Sequence, residues 1–168
     1  GNSHEIDVVD SYINVADVQD SRGIWVRTAD SYFVNSYIRG AQTCVDFDNG
    51  MRCDGDIFTT CTQHSDCVGL GDREECIGGV PTETYVLGIH GHGCPSQSYQ
   101  PLRSVYYHGG ATRGFNSGQV KDSHFNARGI DCEDCSSLVI EGNLFTVPSD
   151  DPAMVFKNVA PGVVGLWA

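Results

Sequence analysis

One six-residue pattern recurs four times in this chain and constrains its fold more than any other feature. The pattern is an apolar residue, a variable residue, Asp, Asn or Gly, Ser or Asn, a variable residue, and Ile or Phe. Its copies are VVDSYI (8–13), FVNSYI (33–38), VKDSHF (120–125) and IEGNLF (140–145). Adjacent copies begin 25 residues apart (8 to 33) and 20 residues apart (120 to 140), which is a spacing typical of solenoid coils.

Each copy is too short for a helix and alternates in and out as a short strand does. The small polar pair in its centre favours a tight corner, because these residues bond to nearby backbone or adopt positive φ. A second strand pattern precedes two of the copies, at GIWV (23–26) and GIDC (129–132). A single coil of this kind cannot bury its own apolar face, so the pattern predicts an all-β solenoid of stacked coils.

The segments GIWVRTADSYFVNSYIRG (23–40) and GIDCEDCSSLVIEGNLFT (129–146) resemble rungs of the right-handed parallel β-helix of pectin-lyase-like proteins. The resemblance covers about residues 1–43 and 100–160. It implies that the corner residues Ser11, Ser36, Ser123 and Asn143 point inward and stack. The predicted inward apolar positions are Val8, Ile13, Ile24, Val26, Phe33, Ile38, Val120, Phe125, Ile130, Cys132, Ile140 and Phe145. An antiparallel β-sandwich is the alternative fold.

The predicted organisation is a single β-helix domain over residues 1–168 with a cysteine-rich insertion at 44–82. The insertion interrupts the repeat pattern and is rich in Gly, Asp and Thr. It has too few apolar residues to form a core, so disulfide bonds or a metal must stabilise it.

The cysteines predict a disulfide framework. They are Cys44, Cys53, Cys61, Cys67, Cys76, Cys94, Cys132 and Cys135. An even number at irregular spacings in a loop-like stretch favours disulfides and hence a secreted or cell-surface protein. The sequence leaves the pairing open. Zinc is the alternative for Cys132-x-x-Cys135, although no second CxxC or HxxxH completes a ligand set at the usual spacing.

The charge of the chain excludes some partners. Lys and Arg number 10 against 22 Asp and Glu, which gives a formal net charge of -12. Without a basic stripe, a nucleic-acid surface is not expected. No apolar run approaches the roughly 18 residues of a membrane span.

Two groups of residues are candidate metal ligands. Five oxygen-bearing side chains lie within eleven residues and suit Ca²⁺, namely Asp46, Asp48, Asn49, Asp54 and Asp56. A solvated acidic loop is the alternative, and calcium is the only predicted cofactor. His90 and His92 lie on one side of an extended segment, and His108 on an adjacent coil could complete a transition-metal site. Exposed histidines at a glycine-rich turn are the alternative there.

Candidate catalytic residues are Asp131, Glu133 and Arg27. The two carboxylates alternate with inward residues and therefore face outward, and Arg27 occupies the comparable face of an earlier coil. Paired carboxylates cleave glycosides in many enzymes, and the resemblance implies a lyase chemistry with Ca²⁺-bound carboxylates and an Arg or Lys base. An exposed charged strand face is the alternative. Candidate glycan-stacking residues are Trp25, Tyr37, Tyr106 and Tyr107.

The predicted function is that of an exported, non-catalytic structural solenoid, a subunit of an extracellular shaft or filament assembled head-to-tail. The segment PAMVFKNVAPGVVGLWA (152–168) is apolar without a polar cap, and no complete catalytic set is evident. A head-to-tail contact that does not close generates a filament. The alternatives are a carbohydrate-active β-helix, either a polysaccharide lyase or a glycoside hydrolase, and a glycan-binding module.

Overall fold

The computed structural model of the protein describes residues 5–16, 18–27, 30–71, 73–78, 82–92, 103–108, 116–126, 128–133, 135–146, 154–157 and 165–167. The described chain is all-β except for one 3-10 turn, His64–Cys67. Its strands, in chain order, are β1 (Glu5–Val9), β2 (Tyr12–Asn14), β3 (Arg22–Val26), β4 (Asp30–Val34), β5 (Tyr37–Arg39), β6 (Thr43–Asp48), β7 (Arg52–Cys53), β8 (Asp56–Thr60), β9 (Cys76–Ile77), β10 (Thr82–Leu87), β11 (His90–His92), β12 (Arg103–His108), β13 (Asn116–Lys121), β14 (His124–Phe125), β15 (Arg128–Cys132), β16 (Cys135–Glu141), β17 (Leu144–Phe145), β18 (Met154–Phe156) and β19 (Gly165–Trp167).

The strands form three parallel sheets and one small antiparallel sheet. Sheet A has the order β1-β4-β10-β13-β16-β19, sheet B the order β2-β5-β11-β14-β17, and sheet C the order β3-β6-β12-β15-β18. The chain passes through sheets A, B and C in turn and then returns to sheet A. We call one passage a coil: β1–β3 form coil 1, β4–β6 coil 2, β10–β12 coil 3, β13–β15 coil 4 and β16–β18 coil 5. This arrangement is compatible with a β-helix-like solenoid, and its parallel pairing is not that of a β-sandwich.

Each copy of the sequence repeat forms the corner between sheet A and sheet B. The third residue of the pattern adopts positive φ in every copy, and Gly88 does the same in coil 3, where the pattern is not evident in the sequence. The φ values are 48° at Asp10, 49° at Asn35, 62° at Gly88, 50° at Asp122 and 64° at Gly142. Asp, Asn and Gly suit this position because they tolerate the left-handed region better than other residues do.

The residue after the corner points inward, and between coils 1 and 2, 3 and 4, and 4 and 5 its side-chain oxygen accepts a hydrogen bond from the backbone N–H of its equivalent in the preceding coil. Ser36 Oγ accepts a hydrogen bond from the Ser11 backbone N–H at 3.1 Å, and Asn143 Oδ1 accepts one from the Ser123 N–H at 3.0 Å. Ser123 Oγ accepts from the Ile89 N–H at 3.0 Å, since coil 3 carries Ile89 where the other coils carry Ser or Asn. The stack that the resemblance implied is therefore present, with one apolar interruption.

The core lies between the three sheets. All twelve apolar positions predicted to face inward are either members of its buried cluster or pack against it. Aromatic rings continue from coil to coil within it, as in the stack of Phe47 on Tyr107 at 4.8 Å and of Phe125 on Phe145 at 5.9 Å. Equal residue types stack because parallel pairing places the same register position of each coil directly above the last.

The insertion forms a separate small unit. Strands β7, β8 and β9 make the antiparallel sheet, and a second buried cluster contains Met51, Cys53, Cys61, Cys67 and Cys76. The predicted start of the insertion at residue 44 falls inside β6, so residues 44–48 belong to sheet C instead.

Candidate functional site

The outward row of sheet C gathers several of the residues that the sequence singled out. The residues on either side of Asp46 lie in the core, so Asp46 faces the outside of β6. In register with it are Trp25 on β3, Tyr106 on β12 and Asp131 on β15. These four side chains follow one another at spacings of about 4.8 Å, which is the distance between neighbouring strands.

Arg22, Trp25 and Asp46 form a compact unit at one end of this row. The Arg22 guanidinium carbon lies 5.3 Å from the centroid of the Trp25 ring, and its Nε donates a hydrogen bond to Asp46 Oδ2. Asp46 is 1% exposed, although it lies on the outer face of the sheet. Its burial follows from the side chains that cover and neutralise it.

The same unit recurs two coils further on. Arg103 lies 4.3 Å from the Tyr106 ring, and its Nε donates to Asp131 Oδ2 at 2.8 Å. The segments RGIW (22–25) and RSVY (103–106) share the Arg-x-x-aromatic spacing that produces this geometry. Sequence reasoning missed the unit because its aspartate comes from the following coil.

His108 joins the first unit from coil 3. Its Nε2 lies 2.7 Å from Asp46 Oδ1, and its Nδ1 lies 3.8 Å from Asp48 Oδ1. The imidazole stacks on Tyr106 with 4.2 Å between the ring centroids. Asp48 also pairs with Arg52, at 3.5 Å from Nη2 to Oδ2. Both carboxylates are therefore occupied by side chains of the protein itself.

The remaining calcium candidates do not join Asp46 and Asp48 as a compact set. Asn49 is buried just after β6, whereas Asp54 and Asp56 belong to the insertion. Asp54 pairs with Arg73 at 3.4 Å. Asp56 accepts hydrogen bonds from the Thr59 hydroxyl and the Phe58 N–H, which lower its pKa.

Within the described ranges, only one group of three Asp, Glu, His or Cys side chains has all its ligand atoms within 4.8 Å of one another. That group is Cys53, Cys61 and Cys67, all of which form disulfides. The acidic side chains are held by arginines, a histidine and local hydrogen bonds instead. Calcium binding stays a prediction that this geometry does not favour.

The three candidate catalytic residues are not brought together. Asp131 faces outward as predicted but is only 5% exposed and pairs with Arg103. Glu133 pairs with Lys157 at 3.3 Å. Arg27 follows β3, three strand spacings or about 14 Å from the strand of Asp131. Burial lowers the pKa of Arg27, whose Nη2 donates to the Gly50 carbonyl at 3.5 Å.

The four predicted glycan-stacking residues lie in different environments. Tyr107 is wrong as a stacking residue: it is fully buried, because alternation allows only one of Tyr106 and Tyr107 to face outward. Tyr106 lies between Arg103 and His108, and burial raises its pKa, with a further contribution from the charge of Glu133. Trp25 is 39% exposed.

Tyr37 belongs to an aromatic row on the outside of sheet B. It stacks on Tyr12 with 5.2 Å between centroids and contacts the His92 ring at 5.1 Å. Tyr12 and Tyr37 are in register with each other and with His90 and His124 on the next strands. Phenol and imidazole rings thus line one outer face of coils 1 to 4.

The histidine pair predicted from the sequence finds a different third member. His108 lies on sheet C beside Asp46, whereas His90 and His92 lie on sheet B beside His124. The ring centroids are 6.3 Å apart for His90 and His124 and 6.2 Å apart for His92 and His124. The prediction of His108 as the third ligand is therefore wrong. His108 lies on the strand that follows β11, and successive strands of one coil belong to different sheets.

The charge environment of His92 favours its neutral form. Burial lowers the pKa of His92, and the positive charges of His124, His90 and Arg39 lower it further. Gly91, between His90 and His92, points into the core, where a Cβ would lie 2.4 Å from Phe125 Cδ1. Only glycine fits there, so core packing requires the glycine that separates the two histidines.

Disulfides join Cys53 to Cys67, Cys61 to Cys76 and Cys132 to Cys135. The first two stabilise the insertion, and the third lies in the core between β15 and β16. Cys44 is buried in sheet C. Cys94 lies outside the described residues.

Comparison with known protein families, with curated proteins and with solved structures gives no match. In the part of the chain that the structure describes, no helix has the length and apolar character needed to span a membrane.

Proposed function

We propose that the three parallel sheets are the faces of a right-handed parallel β-helix of the pectin-lyase-like kind, and that the protein is an exported structural solenoid. It stacks end to end on further copies of itself to form a shaft or filament. The protein has no catalytic role in this proposal. The disulfides support an oxidising compartment, because such bonds persist outside the cytosol.

One observation carries the proposal: the core rows are fully buried in the middle coils but half exposed in coil 1. Phe33 and Ile38 have no exposed surface, whereas Val8 and Ile13, their register partners in coil 1, are partly buried. The strands β1, β2 and β3 are also the outermost strands of sheets A, B and C. A further coil placed on this end would bury the rows and pair three strand edges at once.

The opposite end of the described solenoid presents a matching surface. Phe145, Met154 and Phe156 continue the same inward rows and are likewise only partly buried. Parallel strands at both ends run in the same direction, so a second copy stacked head to tail continues every sheet. A contact of this type does not close on itself and therefore propagates.

The state of the candidate catalytic residues also supports a structural role. Asp131 is held by Arg103, Glu133 pairs with Lys157, and Arg27 lies about 14 Å from the strand of Asp131. An acid or nucleophile paired in this way would have to lose its partner before it met a substrate.

The test is the state of assembly as a function of protein concentration, by light scattering and negative-stain electron microscopy. We expect filaments or concentration-dependent oligomers. Ile13→Lys places a charge in the exposed core row and should abolish them, whereas Tyr12→Lys, one residue away on the outer face, should not. A wild-type protein that stays monomeric at high concentration would overturn the proposal.

Glycan binding is the second candidate, and the row on sheet B favours it. Tyr12 is 64% exposed and stacks on Tyr37, so an aromatic surface is available to the apolar face of a sugar. Binding to a glycan array that Tyr12→Ala and Tyr37→Ala both abolish would support this role. Retention of binding by both variants would exclude this surface.

A further inference from the structure

Three histidines meet on the outer face of sheet B, away from the ends that the filament proposal uses. His90 on β11 and His124 on β14 are register partners on neighbouring strands, and His92 follows His90 by two residues on the same side. Parallel pairing thus places three imidazoles at the corners of a small triangle. Two of its sides are centroid separations of 6.2 and 6.3 Å.

Two of these rings are held at one nitrogen by a neighbouring polar side chain. Asn126 Nδ2 lies 2.6 Å from His92 Nδ1, and His124 Nε2 lies 3.3 Å from Thr146 Oγ1. A carboxamide presents its oxygen or its NH₂ in nearly the same place, so with the amide turned over Asn126 Oδ1 accepts a hydrogen bond from Nδ1–H of His92. Each ring then keeps its other nitrogen as a free lone pair, which is the usual arrangement around a metal-bound histidine.

We propose that His90, His92 and His124 bind a divalent transition-metal ion, with Zn²⁺, Co²⁺ and Ni²⁺ as the cations that suit three imidazoles. Three histidine nitrogens with a fourth position open to water are an established donor set for zinc. Imidazole prefers these ions over Ca²⁺ and Mg²⁺, which take oxygen ligands.

Binding requires a small rearrangement that the site permits. Zn–N bonds of about 2.0–2.1 Å need the three nitrogens closer together than they lie here, since the ligand atoms of these three histidines do not all fall within 4.8 Å of one another. His90 is exposed, and His92 and His124 are half buried at the surface, so their rings can rotate toward one another. Arg39 is the register partner of His92, and its charge opposes a cation. We therefore expect micromolar rather than nanomolar affinity.

The test uses the protein without a histidine tag and with its disulfides intact. Isothermal titration with ZnCl₂ at neutral pH should show one ion per chain, and CoCl₂ should give a visible spectrum of nitrogen coordination. His124→Gln and His92→Gln should each weaken binding by about tenfold or more. His64→Gln, which removes an exposed histidine of the insertion, should leave it unchanged.

Asn126→Ala tests the positioning role of the carboxamide. It should weaken zinc binding by about tenfold and alter the cobalt spectrum, because the His92 ring loses the partner that orients it. Asn126 itself does not coordinate the ion in this proposal.

A measurement on the unmodified protein keeps the proposal testable if a variant fails to fold. In a zinc titration followed by nuclear magnetic resonance, the imidazole nitrogen signals of His90, His92 and His124 should shift together as zinc binds. The proposal is overturned if the wild type binds no zinc at micromolar concentrations, if His124→Gln binds as the wild type does, or if the signals that shift belong to other histidines.

Discussion

Asp46 and His108 lie on neighbouring strands of sheet C, and the imidazole Nε2 is 2.7 Å from Asp46 Oδ1. The other oxygen of the carboxylate accepts from Arg22. An aspartate that is 1% exposed is therefore held from two different coils, one on each side of its own. These two contacts link coils 1, 2 and 3 on the outer face of sheet C, on the opposite side of the sheet from the apolar core.

We expect Asp46→Asn to destabilise the protein. The amide lacks the charge that pairs with the Arg22 guanidinium and replaces one of the two carboxylate oxygens with an NH₂ group, and the loss of one member of a buried pair leaves the other uncompensated. Because Arg22 is partly exposed to water, we expect a loss of about 2 kcal/mol in the free energy of unfolding. Urea denaturation followed by circular dichroism measures it.

The matched control is Asp7→Asn, which removes the same charge from an exposed position on β1. It should change the free energy of unfolding by no more than about 0.5 kcal/mol. Equal urea midpoints for Asp46→Asn and the wild type would show that the pairing contributes nothing to stability.

Ser123→Ala should remove one link of the corner stack. Ser123 Oγ accepts from the Ile89 N–H and donates to the Lys121 carbonyl, and the serine is 2% exposed. Alanine leaves the buried Ile89 N–H without its acceptor, which costs about 1–3 kcal/mol. Thermal and urea unfolding measure the change.

Ser11→Ala is the control for the corner stack. Ser11 Oγ donates only to the exposed Val9 carbonyl among the described contacts, so water can replace it. A smaller loss, below about 1 kcal/mol, is expected. Equal losses of stability in the two alanine variants would contradict this prediction. They would show that the inward hydrogen bond of Ser123 contributes no more than the exposed one of Ser11.

Loss of the insertion disulfides should open the insertion and spare the sheets. The Cys53–Cys67 bond closes a segment of 14 residues, and its removal is expected to cost about 3 kcal/mol of local stability. The second buried cluster consists largely of half-cystines, so little else stabilises this unit. In the double variant Cys53→Ser, Cys67→Ser, trypsin should cleave after Arg52 and Arg73 faster than in the wild type.

Cys132→Ser with Cys135→Ser provides the comparison, because that disulfide lies in the main core and not in the insertion. It should leave the rate of cleavage after Arg52 and Arg73 unchanged in the folded protein. Cleavage of all variants at the wild-type rate would mean that the disulfides do not stabilise the insertion.

The protein should lose stability at alkaline pH through its buried phenols. Burial raises the pKa of Tyr107, whose hydroxyl lies 3.2 Å from Thr84 Oγ1. Above the unfolded pKa of about 10, the unfolded chain releases this proton and the folded chain keeps it. The stabilisation is full below that pH and falls by about 1.4 kcal/mol per pH unit above it.

Urea midpoints measured between neutral and alkaline pH test this expectation. Tyr107→Phe has no proton to release, so its midpoint should fall less steeply than that of the wild type. Because burial also raises the pKa of Tyr106, some alkaline loss should persist in the variant. Identical pH dependence of the two proteins would contradict the assignment to Tyr107.

Local alternation was predictable from the sequence, whereas the side-chain contacts between coils on the outer faces of sheets B and C were not. The twelve inward positions follow from the period of two in each strand, and they pack in the core as expected. The error at Tyr107 breaks that same rule, since Tyr106 and Tyr107 are neighbours and only one can face outward. The pattern alone excludes one of these two tyrosines from the outer face, and the tertiary structure shows that it is Tyr107.

The partners of the candidate functional residues depend on register between coils of unequal length. Arg103 meets Asp131 from the next coil, and His124 rather than His108 joins His90. The segment between β6 and β10 includes the whole insertion, so no constant spacing in the sequence relates one coil to the next. A sequence shows which side of a strand a residue occupies but not which residue lies beside it in the next coil.

The sequence by itself determined the all-β character, the corners with their Asp, Asn or Gly at positive φ, and the apolar rows, because each is a property of a few consecutive residues. Tertiary structure alone decided which charges neutralise one another on sheet C and which imidazoles meet on sheet B. Those contacts join residues that are far apart in the chain, and only the hydrogen-bonded register of parallel strands brings them within reach.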